Sequence, residues 1–123
     1  MKIHWGRILI AALVAEALLI VLANISRRLS VSESISSIIG YLSFIVFMFL
    51  AALWVTRKAE SRFILHGTLV GLAAIVFYVI LTFYATLQGQ VPINVEYFLA
   101  HTIKILGGAA GGFVGGRRRT NAV

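Results

Sequence analysis

Four long apolar runs, separated by short polar segments, constrain the fold more than any other feature of this sequence. They cover residues 8–25, 35–55, 63–87 and 95–115. An α-helix rises 1.5 Å per residue, so about 20 apolar residues cross a hydrocarbon core roughly 30 Å thick. Only 12% of the residues are charged, against about 25% in ordinary soluble domains. The runs therefore predict an integral membrane protein with four spanning helices.

The short joints between the runs predict an all-α fold, an antiparallel four-helix bundle. They leave no room for a second domain, so residues 1–123 are predicted to form one four-span transmembrane domain. A basic start followed by an apolar run is also typical of a cleaved signal peptide. The first run is longer than the usual signal core of about 7–15 residues, which favours an uncleaved helix.

Lysine and arginine are distributed unevenly between the two ends of the predicted bundle. Eight of them flank the N-terminus, the second loop and the C-terminus, whereas two lie in the first loop and none in the third. Cytoplasmic segments carry the positive excess, so both termini are predicted to be cytoplasmic, with residues 117–123 as a short basic tail. Orientation and contact with anionic lipid headgroups account for the net charge of +7, and no nucleic acid partner is expected. The residues assigned to this role are Arg57, Lys58, Arg62, Arg117, Arg118 and Arg119.

The last run contains six of the eleven glycines, arranged as three Gly-Gly pairs four residues apart. Small residues at this spacing allow membrane helices to approach closely. The pattern therefore predicts two glycine ladders on the fourth helix, with weaker counterparts on the second and third. The predicted packing residues are Gly107, Gly108, Gly111, Gly112 and Gly115, together with Gly67, Gly71 and Gly40.

Three ionisable residues, Glu16, His101 and Lys104, lie well inside the predicted spans. A charge at mid-membrane costs about 2.5–3.5 kcal/mol on insertion scales, so these side chains are expected to face the bundle interior. Glu16 is near the centre of the first run and Lys104 near the centre of the fourth, which places them at the same depth. We therefore predict that Glu16 and Lys104 pair. The small face of the first helix, Ala12, Ala15 and Ala23, is expected near the glycine face of the fourth.

These residues leave two functions open. As a structural or accessory subunit, the protein would pack through its glycine ladders within itself, with another copy or with another membrane protein. As a small proton-coupled transporter, it would use Glu16, His101 and Lys104 as a relay, because histidine titrates near neutral pH and a membrane carboxylate can exchange a proton with a cationic substrate. Enzyme activity, a metal and a cofactor are not expected, because aspartate and cysteine are absent and no catalytic motif occurs.

The first run, ILIAALVAEALLIVLA, resembles the first helix of small multidrug resistance transporters at Ala15-Glu16. In that family a mid-helix Ala-Glu supplies the carboxylate that binds protons and drugs, and the resemblance implies this role for Glu16. It covers about one helix in four. The chain departs from that family in its long polar first loop and at Lys104, where the family is uncharged. As a whole the chain also looks like the small four-span proteins of bacterial inner membranes, which implies that location and no particular activity.

Overall fold

The computed structural model describes residues 3–29 and 32–121, apart from the side chains of residues 119–121. All regular structure in these ranges is helical: α1 (Trp5–Arg28), α2 (Glu33–Thr56), α3 (Phe63–Leu81), α4 (Phe83–Leu87) and α5 (Val95–Asn121). Four of the helices, α1, α2, α3 and α5, are long and apolar enough to cross a membrane. The predicted four-helix membrane fold is confirmed.

The third apolar run is divided at Thr82 instead of forming one helix. The Thr82 hydroxyl donates to the carbonyl oxygen of Tyr78 at 2.7 Å, a bond to the preceding turn that bends helices. The short helix α4 then ends at Leu87, and Gly89 follows it with a φ of 72°. The amides of Gly89 and Gln90 donate to the carbonyls of Thr86 and Ala85, which is the glycine-terminated Schellman motif.

The C-terminal helix is longer than the apolar run predicts. It continues past residue 115 through the arginines to Asn121, so the segment predicted as a tail is helical as far as the structure describes it. Residues 122 and 123 of that predicted tail lie outside the described residues. The arginines therefore lie on the same continuous helix as the apolar span, beyond its C-terminal end.

The helices are arranged with α1 and α5 at opposite corners. Each of them packs against both α2 and α3, which also touch one another, and no described Cα of α1 lies within 8 Å of a Cα of α5. The prediction that the small face of α1 lies near the glycine face of α5 is therefore wrong. Ala12 and Ala15 are buried in the core that α1 forms with α2 and α3, and Ala23 is exposed. The contact between α2 and α3 separates α1 from α5.

The two glycine ladders of α5 face different neighbours. Gly107, Gly111 and Gly115 lie against α2, and Gly108, Gly112 and Gly116 lie against α3. A Cβ at Gly111 would lie 2.8 Å from the Cβ of Ala52 and 3.0 Å from the Cα of Phe49. Backbone approach of this kind is possible only without side chains, so the ladders set the distance of α5 from both neighbours.

The closest approach is between α3 and α5. A Cβ on Gly67 would collide with the carbonyl oxygen of Gly108, and a Cβ on Gly108 would collide with that of Gly67. Gly71 is similarly confined, because its Cβ would lie 2.7 Å from the Cα of Ile105. The prediction that Gly40 of α2 is a packing residue is wrong, because a Cβ there would meet nothing within 4 Å. At that level the helices separate around an open space.

The two ends of the bundle differ in charge. We call one the basic end, where α2 and α5 finish. Its exposed cations are Arg57, Lys58, Arg62, Arg117 and Arg118. We call the other the cavity end, formed by residues 32–33 and 91–96.

At the basic end Arg7 joins α1 to α2. Its guanidinium donates to the carbonyl oxygen of Trp54 at 2.5 Å and lies 3.8 Å from the centre of the indole ring. An arginine stacked on an aromatic face adds a cation–π attraction to the hydrogen bond.

Candidate functional site: a polar cavity ending at a buried ion pair

Glu16 and Lys104 meet in the middle of the bundle. Lys104 Nζ donates to Glu16 Oε1 at 2.7 Å, and the two side chains are 1% and 2% exposed. Because α1 and α5 are not neighbours, these long side chains reach toward each other across the bundle. The pairing offsets part of the large desolvation cost that either charge would carry alone at this depth.

Two aromatic rings complete the surroundings of the Lys104 ammonium. Its Nζ lies 4.5 Å from the centre of the Tyr78 ring on α3 and 5.2 Å from that of Phe44 on α2. Cation–π contacts of desolvated cations contribute up to about 2 kcal/mol. Lys104 is thus held by a carboxylate and two ring faces from three different helices.

Several buried polar atoms beside this pair make no hydrogen bond to any described residue. They are Oε2 of Glu16 and both ring nitrogens of His101. The His101 ring is set edge-on to Tyr97, with centroids 4.4 Å apart, and to Tyr78 at 5.1 Å. These ring contacts orient the imidazole without using its nitrogens. Since an unpaired buried polar group costs about 1–3 kcal/mol, these atoms are suited to binding a solute or water.

A cavity of about 450 Å³ leads from the cavity end down to the residues that carry these atoms; we call it the polar cavity. Its floor is formed by Glu16, His101 and Lys104, and its mouth includes the exposed carboxylates Glu33 and Glu96. Beyond Lys104 the glycine contacts begin, and α5 packs closely against α2 and α3 toward the basic end. The remaining lining residues are Leu19, Ile20, Ala23, Ser36, Ser37, Gly40, Tyr41, Phe44, Tyr78, Val91, Pro92, Asn94, Tyr97 and Ala100.

The mouth is positioned by two helix caps. Ser32 Oγ accepts a hydrogen bond from the amide of Ile35 at 3.4 Å, and Asn94 Oδ1 accepts one from the amide of Tyr97 at 3.0 Å. A side-chain oxygen at this position satisfies an amide that the helix itself cannot, and so fixes where the helix begins. The first turns of α2 and α5 are therefore held at the rim of the polar cavity.

The structure brings together the three ionisable residues that the sequence analysis singled out, and adds residues that it missed. Phe44, Tyr78 and Tyr97 complete the floor and walls. A signal for Tyr97 was present, because it lies one turn before His101 on the same helix face. Tyr78 was identifiable only as a polar aromatic residue inside an apolar run.

The cations predicted to contact headgroups lie at the basic end, far from the polar cavity. All five whose side chains are described are exposed. The guanidinium of Arg117 lies 5.7 Å from the centre of the Phe113 ring, and the side chain of Arg119 lies outside the described part of the chain. Among the described residues, no group of three or more His, Cys, Asp or Glu side chains is placed to hold a metal ion.

Together these features define a small four-span integral membrane protein with a polar cavity in one half of the bundle. The family model described as "Protein of unknown function (DUF3792)" matches residues 3–115, a range that includes the whole polar cavity and the ion pair. The chain belongs to this family. Neither a curated protein nor a solved structure matches it.

Proposed function

We propose that the protein is a small membrane transporter whose solute site is the polar cavity, with Glu16, His101 and Lys104 at its floor. The observation that carries the proposal is a cavity open at one end that stops at buried polar atoms with no hydrogen-bond partner among the described residues. Transporters place their sites near the bilayer midplane and expose them to one side at a time. A purely structural ion pair requires no such cavity.

The competing hypothesis of a structural or accessory subunit allowed the glycine ladders to pack within the chain, against another copy or against another membrane protein. All six glycines of the two ladders pack against α2 and α3 of the same chain, so they are not presented to a partner. A second copy or another membrane protein would have to bind through a different surface.

In the proposed mechanism, the structure represents the state that is open at the cavity end. The charge bias predicts that this end lies outside the cytoplasm, and in that orientation solute enters from the outer side. Transport then requires the glycine-packed half to open, by movement of α5 relative to α2 and α3. Glu16 and His101 are the groups that would release a proton when the solute binds and take one up when it leaves, which makes the transport proton-coupled and requires no covalent chemistry.

The experiment is cysteine accessibility in sealed vesicles, which the cysteine-free chain makes simple. Val70 is fully buried on α3, in the packed half of the bundle, and Val70→Cys changes its volume little. If that half opens, Val70→Cys will be labelled slowly by a membrane-impermeant thiol reagent added at the basic end. A bundle that never opens leaves Val70→Cys unlabelled from both sides, and that result would overturn the proposal.

A matched control lies on the same helix. Leu72 is 44% exposed on the outside of the bundle, where lipid would surround it. Because only the thiolate reacts and an apolar environment disfavours it, Leu72→Cys should stay unlabelled. Labelling of Val70→Cys alone would therefore report an aqueous opening inside the bundle.

A further inference from the structure

We propose that the solute of the polar cavity is a linear diamine, with one ammonium at the floor against Glu16 and the other at the mouth between Glu33 and Glu96. This inference rests on the proposed function, because it names the solute class of the same cavity.

The lining of the polar cavity carries more negative than positive charge. The residues that line the polar cavity include three carboxylates, those of Glu16, Glu33 and Glu96, and one ammonium, that of Lys104, so the lining itself has an excess of two negative charges. A cleft lined by one sign of charge with low-dielectric walls concentrates ions of the opposite sign. Two positive charges on the solute balance this excess, whereas an anion would be repelled.

The floor of the polar cavity retains one carboxylate oxygen without a hydrogen-bond partner among the described residues. Lys104 is already engaged by Glu16 Oε1, Tyr78 and Phe44. The uncommitted carboxylate atom is Oε2, a buried atom of Glu16, and Glu16 lines the polar cavity. An acceptor of this kind requires a solute with an N–H group, and a charge-assisted bond is the stronger kind. A quaternary ammonium, which has no N–H, would leave the oxygen unsatisfied.

The depth of the polar cavity indicates the distance between the two ammonium groups. Glu96 and Lys104 are eight residues apart on α5, which is about 12 Å along the helix axis, and the Glu16 carboxylate lies at the level of Lys104. If this rise is taken as the span between the two carboxylates, and each ammonium sits about 2.8 Å from its oxygen, roughly 6–7 Å separates the two nitrogens. A four-carbon diamine has this length. Its methylene chain would pass the aromatic walls formed by Tyr41 and Tyr97.

The test is binding of radiolabelled 1,4-diaminobutane to the purified full chain, with unlabelled compounds as competitors. We expect 1-aminobutane to compete about tenfold more weakly than the diamine, because it lacks the second charge-assisted bond. Tetraethylammonium and butanedioate should not compete. Equal competition by monoamine and diamine, effective competition by tetraethylammonium, or no diamine binding would each overturn the inference.

Variants at the mouth avoid disturbing the buried pair. Combining Glu33→Gln with Glu96→Gln should weaken diamine binding about tenfold and leave monoamine binding unchanged. Glu60→Gln is the matched control, because Glu60 is an exposed glutamate near the basic end and its loss should change neither affinity. Unchanged diamine affinity in the double variant would refute the placement of the second ammonium.

The two proposals fail separately. If Val70→Cys is labelled but no diamine binds, transport stands and the solute class is wrong. If the diamine binds but Val70→Cys is never labelled, the binding site stands and transport is wrong.

Discussion

The substitution Gly67→Ala tests the close packing that shuts one half of the bundle. A Cβ at this position would overlap the carbonyl oxygen of Gly108 and lie 2.9 Å from the amide nitrogen of Gly112. These are backbone atoms of α5, so no side-chain rotation can relieve the overlap and the helices must separate. Overpacking of this severity costs roughly 3 kcal/mol. Alanine recovers up to about 1 kcal/mol of helix propensity, which leaves a net loss of roughly 2 kcal/mol.

The assay is the free energy of unfolding in detergent, followed by loss of helical circular dichroism as a denaturing detergent is added. Gly40→Ala supplies the control, because a Cβ there meets nothing within 4 Å. It should be neutral or slightly stabilising. The packing argument would be refuted if Gly67→Ala stayed within about 0.5 kcal/mol of the parent protein, or if Gly40→Ala were equally costly.

The reciprocal geometry of this contact makes the test sharper. Gly67 and Gly108 each face the carbonyl oxygen of the other, so either alanine alone already separates the helices. The double variant Gly67→Ala with Gly108→Ala should therefore lose less stability than the sum of the two single variants. Additive losses would mean that the two glycines pack independently.

The remaining predictions concern the charged and aromatic groups. Glu16→Gln and Lys104→Met should each destabilise the bundle by about 3–5 kcal/mol, and combining them should restore most of the loss, as measured by the same unfolding assay; singly neutral variants would refute the pairing. Tyr78→Leu should cost about 1–2 kcal/mol by removing a ring face from the ammonium, whereas Tyr78→Phe should cost clearly less, and equal losses would contradict the cation–π contact. Exchanging six cations for alanine leaves two lysine or arginine residues flanking the spans at each end of the bundle. Without a charge bias the protein should insert in both orientations, as measured by cysteine labelling from each side of the membrane. Unchanged orientation would contradict the charge argument. The six are Arg57, Lys58, Arg62, Arg117, Arg118 and Arg119.

The sequence alone was sufficient to predict the spans and the depth of the ion pair. Both follow from counting residues along helices of known rise. The sequence did not predict which helices are neighbours, because four-residue spacing identifies a packing face without identifying the helix that packs against it. In α5 two adjacent ladders, those starting at Gly107 and Gly108, face different helices.

The ion pair shows a second limit of sequence reasoning. We expected charges at equal depth to lie on adjacent helices, yet α1 and α5 do not touch. Glutamate and lysine side chains are long enough to meet across the bundle. Their pairing therefore indicates that the two residues lie at the same depth in the membrane, but it does not indicate which helices are adjacent. The polar cavity was not predictable for the same reason, since its walls come from four helices and the loop before α5.

The central claim is that the polar cavity admits water nearly to the ion pair, and labelling of Ala100→Cys tests it most directly. Ala100 lines the polar cavity one turn before Lys104, while its neighbour Leu99 is 47% exposed on the outside of the bundle. An impermeant thiol reagent added at the cavity end should label Ala100→Cys and spare Leu99→Cys, because the thiolate forms only where water is present. If Ala100→Cys were as unreactive as Leu99→Cys, the polar cavity would not be an aqueous site.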